Sequence, residues 1–190
     1  CVGAGDPRLD KANLRFTHVL IDESTQAMEA ECIIPIVKGC KQLILIGDQA
    51  QLGPVILCKK AAKAGLGRSL FERMMQLGHH PIMLEFQYRM HPDLSDWPSN
   101  EFYGGRLLNG IGDNDRVHEA KDTLEWIQDE YGPLQFHTVM GVEEVAGTGT
   151  SYLNRKEAEA VEKLVSALFK SEVTPKEIGV ITPYEGQRTY

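Results

Sequence analysis

Two adjacent carboxylates, Asp22 and Glu23, follow directly on a short apolar run at residues 19–21. Such a run predicts a buried parallel strand, and ligands of open α/β sheets bind just beyond the carboxyl ends of the strands. Oxygen ligands suit a magnesium ion that carries a nucleotide. Asp22 is therefore a candidate Mg²⁺ ligand and Glu23 a candidate for polarising an attacking water. A simpler interpretation is a strand followed by a helix N-terminus, where acidic residues act as caps.

Two further side chains stand on predicted connectors between elements. Gln51 follows the apolar run 43–46, and its amide could bond a phosphate oxygen, or a water, or could simply be a solvated loop amide. Arg89 precedes Pro92 on a segment that the proline keeps out of the helical conformation. The arginine is placed either to swing toward a triphosphate or to pack on Tyr88 at the surface.

A third group of candidates lies near the end of the chain, after a strand predicted at residues 178–181. We interpret these residues as phosphate or ribose contacts at the carboxyl end of that strand, or else as a turn that caps the next helix. They are Thr182, Tyr184, Gln187 and Arg188.

The elements that must position these side chains alternate between strand and helix patterns. Apolar runs predict strands at 15–22 and 41–48, joined by a helix at 26–37, which together make a βαβ unit. Further strands are predicted at 83–86 and 134–139, helices at 59–77, 93–102 and 154–170, and a long surface excursion at 104–133. The predicted fold class is α/β.

Composition limits the classes of partner. The 190 residues carry a net charge of −7, which argues against a nucleic-acid binder that relies on charge alone. No apolar run reaches the roughly eighteen residues of a membrane span, so no membrane partner is expected. The four cysteines lack zinc-site spacing, and we expect a reducing compartment, the cytosol or nucleus.

Four segments taken together resemble the motifs of superfamily 1 (1B) helicases, in the branch that acts in nonsense-mediated mRNA decay. Residues 22–27 (Asp-Glu-Ser-Thr-Gln-Ala) resemble motif II, and residues 47–54 (Gly-Asp-Gln-Ala-Gln-Leu-Gly-Pro) resemble motif III. Residues 87–90 (Gln-Tyr-Arg-Met) are similar to motif IV, and residues 181–188 to a late segment of the second motor domain. Ala50 departs from the glutamine that is more familiar at that position. One such motif is a weak signal, but four in order are a strong one.

The resemblance implies an ATP-dependent RNA helicase motor that uses ATP and Mg²⁺. Its implied partners are single-stranded RNA or DNA and mRNA surveillance factors. The implied architecture is parts of two RecA-like P-loop NTPase domains, with parallel sheets flanked by helices. Residues 1–88 would be the C-terminal part of the first domain and residues 89–190 the N-terminal part of the second.

The resemblance also implies a role for each matching residue. Asp22 would coordinate Mg²⁺, Glu23 would activate the hydrolytic water, and Gln51 would sense the γ-phosphate. Arg89 would act as an arginine finger from the second domain. The remaining implied contacts are to nucleic acid, and they are Pro54, Val55, Thr182, Tyr184 and Arg188.

Two other interpretations remain open at this point. One is a DNA or DNA/RNA-hybrid helicase of a sister subfamily, and the other is a non-catalytic, helicase-like interaction module. The 190 residues contain no Gly-x-x-x-x-Gly-Lys-Ser/Thr segment. We expect that phosphate-binding motif upstream and the last helicase motifs downstream, so that these residues alone neither bind ATP tightly nor unwind a duplex.

Overall fold

A parallel strand pair joined by a helix forms the centre of the first of two units in the chain. The computed structural model describes residues 1–116, 133–147 and 149–190. Contacts within the chain divide it into Cys1–Leu84 and Glu85–Tyr190, and each unit is described by itself. No helix in the described part of the chain is both long and apolar enough to cross a lipid bilayer.

The described elements of the first unit are four α-helices, one sheet and a 3-10 helix at Val2–Gly5. The elements are α1 (Pro7–Lys11), β1 (His18–Ile21), α2 (Glu29–Ile36), β2 (Gln42–Leu45), α3 (Lys59–Ala61) with a π-helical continuation at Ala62–Leu66, and α4 (Leu70–Gln76). β1 and β2 pair in parallel, with Val19 opposite Leu43 and Ile21 opposite Leu45. The predicted βαβ unit is thus confirmed, with strands shorter than predicted.

One face of this sheet is covered and the other is open to solvent. Val19 and Ile21 point into the core, where they pack with Cys32 of α2 and Leu70 of α4. Leu20 points the other way and is 63% exposed. The buried parallel strand predicted here is thus buried on one face only, the face against which α2 and α4 pack.

The start of α2 lies three residues later than predicted. The backbone N–H of Met28 donates to Glu31 Oε2 at 2.9 Å, which satisfies a donor at the helix entry. Pro35 lies buried in the last turn, and the helix ends at Ile36. A proline has no backbone N–H to donate to the preceding turn, so Pro35 favours a short helix here.

Among its described residues the second unit holds a parallel strand pair, an antiparallel strand pair, three α-helices and 3-10 helices at Asp113–Arg116 and Pro175–Glu177. The elements are β3 (Phe86–Gln87), α5 (Pro92–Tyr103), β4 (Leu108–Asn109), β5 (Glu144–Val145), β6 (Tyr152–Leu153), α6 (Arg155–Lys170) and α7 (Glu185–Thr189). β3 pairs in parallel with β4, and β5 pairs antiparallel with β6. The helices predicted near 93–102 and 154–170 are confirmed.

Two predicted strands of this unit are absent. Residues 134–139 and 178–181 have no regular secondary structure. Phe136 is 94% exposed and Ile181 is 96% exposed, so neither side chain is covered by another strand or helix among the described residues. Strand 83–86 is likewise reduced to Phe86–Gln87. The predicted excursion at 104–133 lies partly outside the described residues, and its described part contains β4 and a 3-10 turn at Asp113–Arg116.

We predict that the stability of the second unit depends on the N-cap of its longest helix. Asn154 Oδ1 accepts from the backbone N–H groups of Lys156 and Glu157 at 3.0 and 3.3 Å. Replacing Asn154 by Ala leaves those donors unsatisfied and should lower the free energy of unfolding by about 1 kcal/mol, measured by urea denaturation. Asn154→Asp keeps an acceptor and should cost much less.

The matched control for this prediction is Glu162→Ala, on the exposed surface of the same helix. It should leave the urea midpoint almost unchanged. Equal losses for Asn154→Ala and Asn154→Asp would contradict the capping role.

Candidate active site

The adjacent carboxylates lie where the sequence places them, at the carboxyl end of β1. Both side chains are exposed, and Asp22 Oδ1 accepts from the backbone N–H of Glu23 at 3.0 Å. Glu23 has a φ of 51°, a left-handed conformation that is uncommon for a residue with a side chain. Gln26 donates from its backbone N–H to Glu23 O and from Nε2 to Glu23 Oε2, each at 3.0 Å. Such backbone outliers cluster at functional sites, and here the turn presents two carboxylates to solvent.

This acidic turn is joined to the end of β2. Ser24 is fully buried, and both its backbone N–H and its Oγ donate to Ile46 O at 2.8 Å. A Cβ at Gly47 would lie only 3.0 Å from Ser24 Oγ and 3.1 Å from Thr25 N. A side chain at this position would thus crowd the acidic turn, and the segments that carry motifs II and III form one packed assembly.

Gln51 is held by an aspartate that the sequence analysis did not single out. Gln51 Nε2 donates to Asp48 Oδ2 at 2.8 Å, and its backbone N–H donates to Asp48 O at 3.1 Å. The other carboxylate oxygen, Oδ1, accepts from Ala50 N at 2.9 Å. An aspartate that bonds the backbone two residues on is a known turn signal, so the Asp-x-x-Gln spacing could have revealed this anchor.

The residues at the end of β1 suit a metal ion that arrives with its substrate. Mg²⁺ is usually bound through one or two carboxylates, with waters and substrate phosphates completing the coordination. Asp22 and Glu23 provide exposed oxygens of this kind. Within the described residues, no three His, Cys, Asp or Glu side chains converge closely enough to form a metal site by themselves. These two carboxylates therefore suit a Mg²⁺ ion that is also bound by a nucleotide better than they suit a metal ion bound by protein side chains alone.

Arg89 belongs to the second unit, in the loop between β3 and α5, whereas the acid pair and Gln51 belong to the first. Its side chain is exposed, and its backbone N–H donates to Gln87 Oε1 at 2.9 Å. The structure thus brings together the candidate residues of motifs II and III within one unit and places the candidate arginine in the other.

The candidate nucleic-acid contacts fall into two places. Pro54 and Val55 lie in the loop after β2, where Val55 is 82% exposed. Thr182 Oγ1 accepts from Tyr184 N at 3.3 Å, and the Arg188 guanidinium bonds both carboxylate oxygens of Glu185 at 2.7 and 2.5 Å. This second group therefore lies in a turn and in the short helix α7 that follows it, but Tyr184 at the N-cap position makes no side-chain capping bond.

Gln187 has a clear structural role. Its Oε1 accepts from Asn154 N at 2.6 Å, and its Nε2 donates to Asn154 O at 3.2 Å. A Cβ at the neighbouring Gly186 would lie 2.7 Å from Tyr152 O. These contacts fix α7 against β6 and α6, and they occupy the Gln187 amide that the sequence suggested for phosphate or ribose.

Comparisons with known proteins identify the family of the chain. Two family models, each described as an AAA domain, match residues 1–59 and 66–190. Because the second match alone spans well over half of the chain, the chain belongs to the AAA domain family. Membership implies a P-loop NTPase fold, with which the mixed helices and small parallel sheets of the structure are consistent.

Individual relatives of the chain indicate which branch of this family it resembles. The chain is 58% identical over all 190 residues to the regulator of nonsense transcripts 1 homolog of Neurospora crassa, covering 17% of that protein. It is 56% identical over its whole length to the ATP-dependent helicase NAM7 of Saccharomyces cerevisiae, covering 19% of it. The ATP-dependent helicase upf1 of Schizosaccharomyces pombe is 52% identical, with 20% covered. The resemblance to the nonsense-mediated decay branch is thereby confirmed, for a chain that spans a fifth or less of these curated relatives.

We predict that the close approach at Gly47 sets the geometry of the acidic turn. Gly47→Ala forces a methyl group against Ser24 and the Thr25 backbone, and should lower the free energy of unfolding by about 1–3 kcal/mol. Amide chemical shifts of both neighbours should also move. The measurements are urea denaturation and NMR spectra of the same samples.

Gly53→Ala is the matched control, since a Cβ at Gly53 would meet nothing within 4 Å. It should be neutral or slightly stabilising, because it only restricts the unfolded chain. If both variants behave alike, the packing of the two motif segments does not depend on Gly47.

Proposed function

We propose that this chain is the central motor segment of a longer ATP-dependent RNA helicase that acts in nonsense-mediated mRNA decay. The observation that carries the proposal is the exposed acid pair at the end of β1, packed through Ser24 and Gly47 against the loop that carries Gln51. Identity of 52% to 58% over the whole chain to proteins named as ATP-dependent helicases or regulators of nonsense transcripts supports it.

Asp22 and Glu23 would have different roles in ATP hydrolysis. Asp22 would hold Mg²⁺ through its carboxylate, directly or through a water. When bound, the ion neutralises charge that develops on the transferred phosphoryl group. Glu23 would accept a hydrogen bond from the attacking water and orient it toward the γ-phosphate. Its own orientation is held by the bond from Gln26 Nε2.

Gln51 would report the state of the γ-phosphate. In the structure its amide is bonded to Asp48. Exchanging that partner for a phosphate oxygen would move the loop that is packed, through Gly47, against the acidic turn. Such an exchange of hydrogen-bond partners couples nucleotide state to loop position, which is what a translocating motor requires.

The second unit would supply the arginine finger. We assign residues 1–88 to the end of a first RecA-like domain and residues 89–190 to the start of a second. The contacts within the chain separate two units after Leu84, which supports a domain boundary in this region. The two family matches place their division earlier, since one ends at residue 59 and the other begins at residue 66. Arg89 then lies on the second domain, where a guanidinium could stabilise charge on the phosphates.

Nucleic acid would be held mainly through its phosphate and ribose groups, and the net charge of −7 argues against binding by overall charge alone. Val55 offers an exposed apolar contact beside the half-buried Pro54. Thr182, Tyr184 and Arg188 would provide polar and stacking contacts after their present partners are exchanged. Single-stranded RNA is the proposed substrate, and the cytosol or nucleus the proposed location.

We predict that Arg89→Ala in the full-length helicase abolishes turnover without unfolding the protein. Removing an arginine finger costs about 10³- to 10⁵-fold in rate in phosphoryl-transfer enzymes where it has been tested. The measurement is RNA-stimulated ATP hydrolysis, with circular dichroism to confirm folding. Arg106→Ala is the matched control: Arg106 is an exposed arginine of the same unit, which pairs with Glu85 at 2.8 Å. It should keep its activity within about twofold.

The same assay tests the proposed substrate. A single-stranded RNA oligonucleotide should stimulate hydrolysis more than a DNA oligonucleotide of the same sequence. Stronger stimulation by DNA would favour the sister helicase subfamily. No stimulation and no hydrolysis by the wild-type protein would identify a non-catalytic module and overturn the proposal.

A further inference from the structure

The side-chain amide of Gln87 uses all its hydrogen-bonding positions in the loop that carries Arg89. Its Oε1 accepts from the backbone N–H groups of Arg89 and Met90 at 2.9 and 2.8 Å. Its Nε2 donates to Met90 O at 2.8 Å. Three of its four hydrogen bonds thus join the Gln87 side chain to the backbone of Arg89 and Met90 in the loop that follows. Gln87 itself is half-buried.

The fourth bond ties this loop to the rest of the unit. Gln87 Nε2 donates to Asn109 Oδ1 at 2.7 Å, and the same oxygen accepts from Ser95 Oγ at 2.5 Å. Ser95 lies on α5 and is 1% exposed, and Asn109 is the residue of β4 that pairs with Gln87. The network therefore joins β3, β4 and α5 around the loop.

The orientation of the Gln87 amide follows from its partners. Its oxygen faces two N–H donors and its nitrogen faces two oxygen acceptors. Turning the amide over would set donors against donors and acceptors against acceptors, so only one orientation satisfies the network. A half-buried group that meets all its partners holds its surroundings in one arrangement.

Tyr88, the residue between Gln87 and Arg89, is also confined. A Cβ at Gly110 would lie 2.2 Å from Tyr88 Cε1, so the ring lies directly against the glycine backbone. Gly110 N donates to Gln87 O at 2.9 Å. The Tyr88 ring and the backbone that precedes it are therefore both held against Gly110, the residue that follows β4.

We propose that Gln87 is the positioning residue for Arg89, holding its backbone so that the guanidinium reaches the transferred phosphoryl group in one fixed geometry. This inference rests on the proposed role of Arg89 as an arginine finger. A displacement of about 1 Å in a catalytic group can cost about 100-fold in rate. Releasing the loop therefore lowers turnover even though Gln87 does not touch ATP.

A simpler role for Gln87 would be purely structural, as a residue that stabilises the fold of the second unit as a whole. The two roles differ in their kinetics. Replacing a purely structural residue lowers the amount of folded protein. Replacing a positioning residue lowers kcat of the folded protein with little change in the KM for ATP. A positioning residue also loses its effect once the group that it positions has been removed, because the two residues then act as a unit.

The test uses Gln87→Glu and Gln87→Ala in the full-length protein. Glutamate has the shape of glutamine, but it sets a carboxylate oxygen against the oxygens of Met90 and Asn109. We expect kcat for RNA-stimulated ATP hydrolysis, normalised to folded protein by circular dichroism, to fall about 10- to 100-fold. The KM for ATP should change by less than about twofold. Gln135→Glu, on an exposed segment of the same unit, carries the same charge change and should leave both constants unaltered.

The decisive comparison is made in the Arg89→Ala background, where single-turnover hydrolysis is followed over hours. Adding Gln87→Glu there should change the residual rate less than about twofold. The inference is overturned if Gln87→Glu keeps full activity, or if its whole loss persists without Arg89. If Arg89→Ala alone keeps near-normal kcat, the proposed function of Arg89 has failed, and that result is recognised from the single variant.

Discussion

The candidate site depends on the hydrogen bonds that join the turn after β1 to the end of β2. Ser24 gives both its donors to Ile46 O, and it is fully buried while it does so. A buried hydroxyl that lost this acceptor would cost about 1–3 kcal/mol, so the two strand ends are held together firmly. Since the carboxylates precede Ser24 and the glutamine loop follows Ile46, this contact places motifs II and III side by side.

The loops that carry the candidate chemistry are held by polar side chains more than by apolar packing. Asp48 closes the loop of Gln51, and Gln87 closes the loop of Arg89. Side chains of Asp, Asn and Gln can replace the partners that irregular backbone lacks. These loops can therefore be specific in shape while their functional side chains remain exposed.

Much of this arrangement could be predicted from the sequence, because it depends on local patterns. The apolar runs at β1 and β2 predicted a βαβ unit, and Asn154 marked the start of α6. The acid pair could be placed at a strand end for the same reason. Each of these features is signalled by a pattern that can be read within one short stretch of the chain.

Other features depend on contacts between distant residues and could not be read in this way. The bond between Gln87 and Asn109 joins residues 22 positions apart, and that between Gln187 and Asn154 joins residues 33 apart. The apolar runs at 134–139 and 178–181 looked like strands, but a strand also needs a pairing partner, which periodicity does not reveal. Leu20 shows the same limit, since an apolar residue in a strand does not itself indicate which face will be covered.

The most direct test of this account is a crystal structure of the full-length protein with ADP, aluminium fluoride, Mg²⁺ and single-stranded RNA. The account predicts an Asp22 oxygen in the coordination sphere of Mg²⁺, the Glu23 carboxylate on a water in line with the fluoride, and the Arg89 guanidinium within hydrogen-bond distance of that fluoride. A complex in which the metal is bound without Asp22 and the Arg89 side chain points into solvent would contradict it.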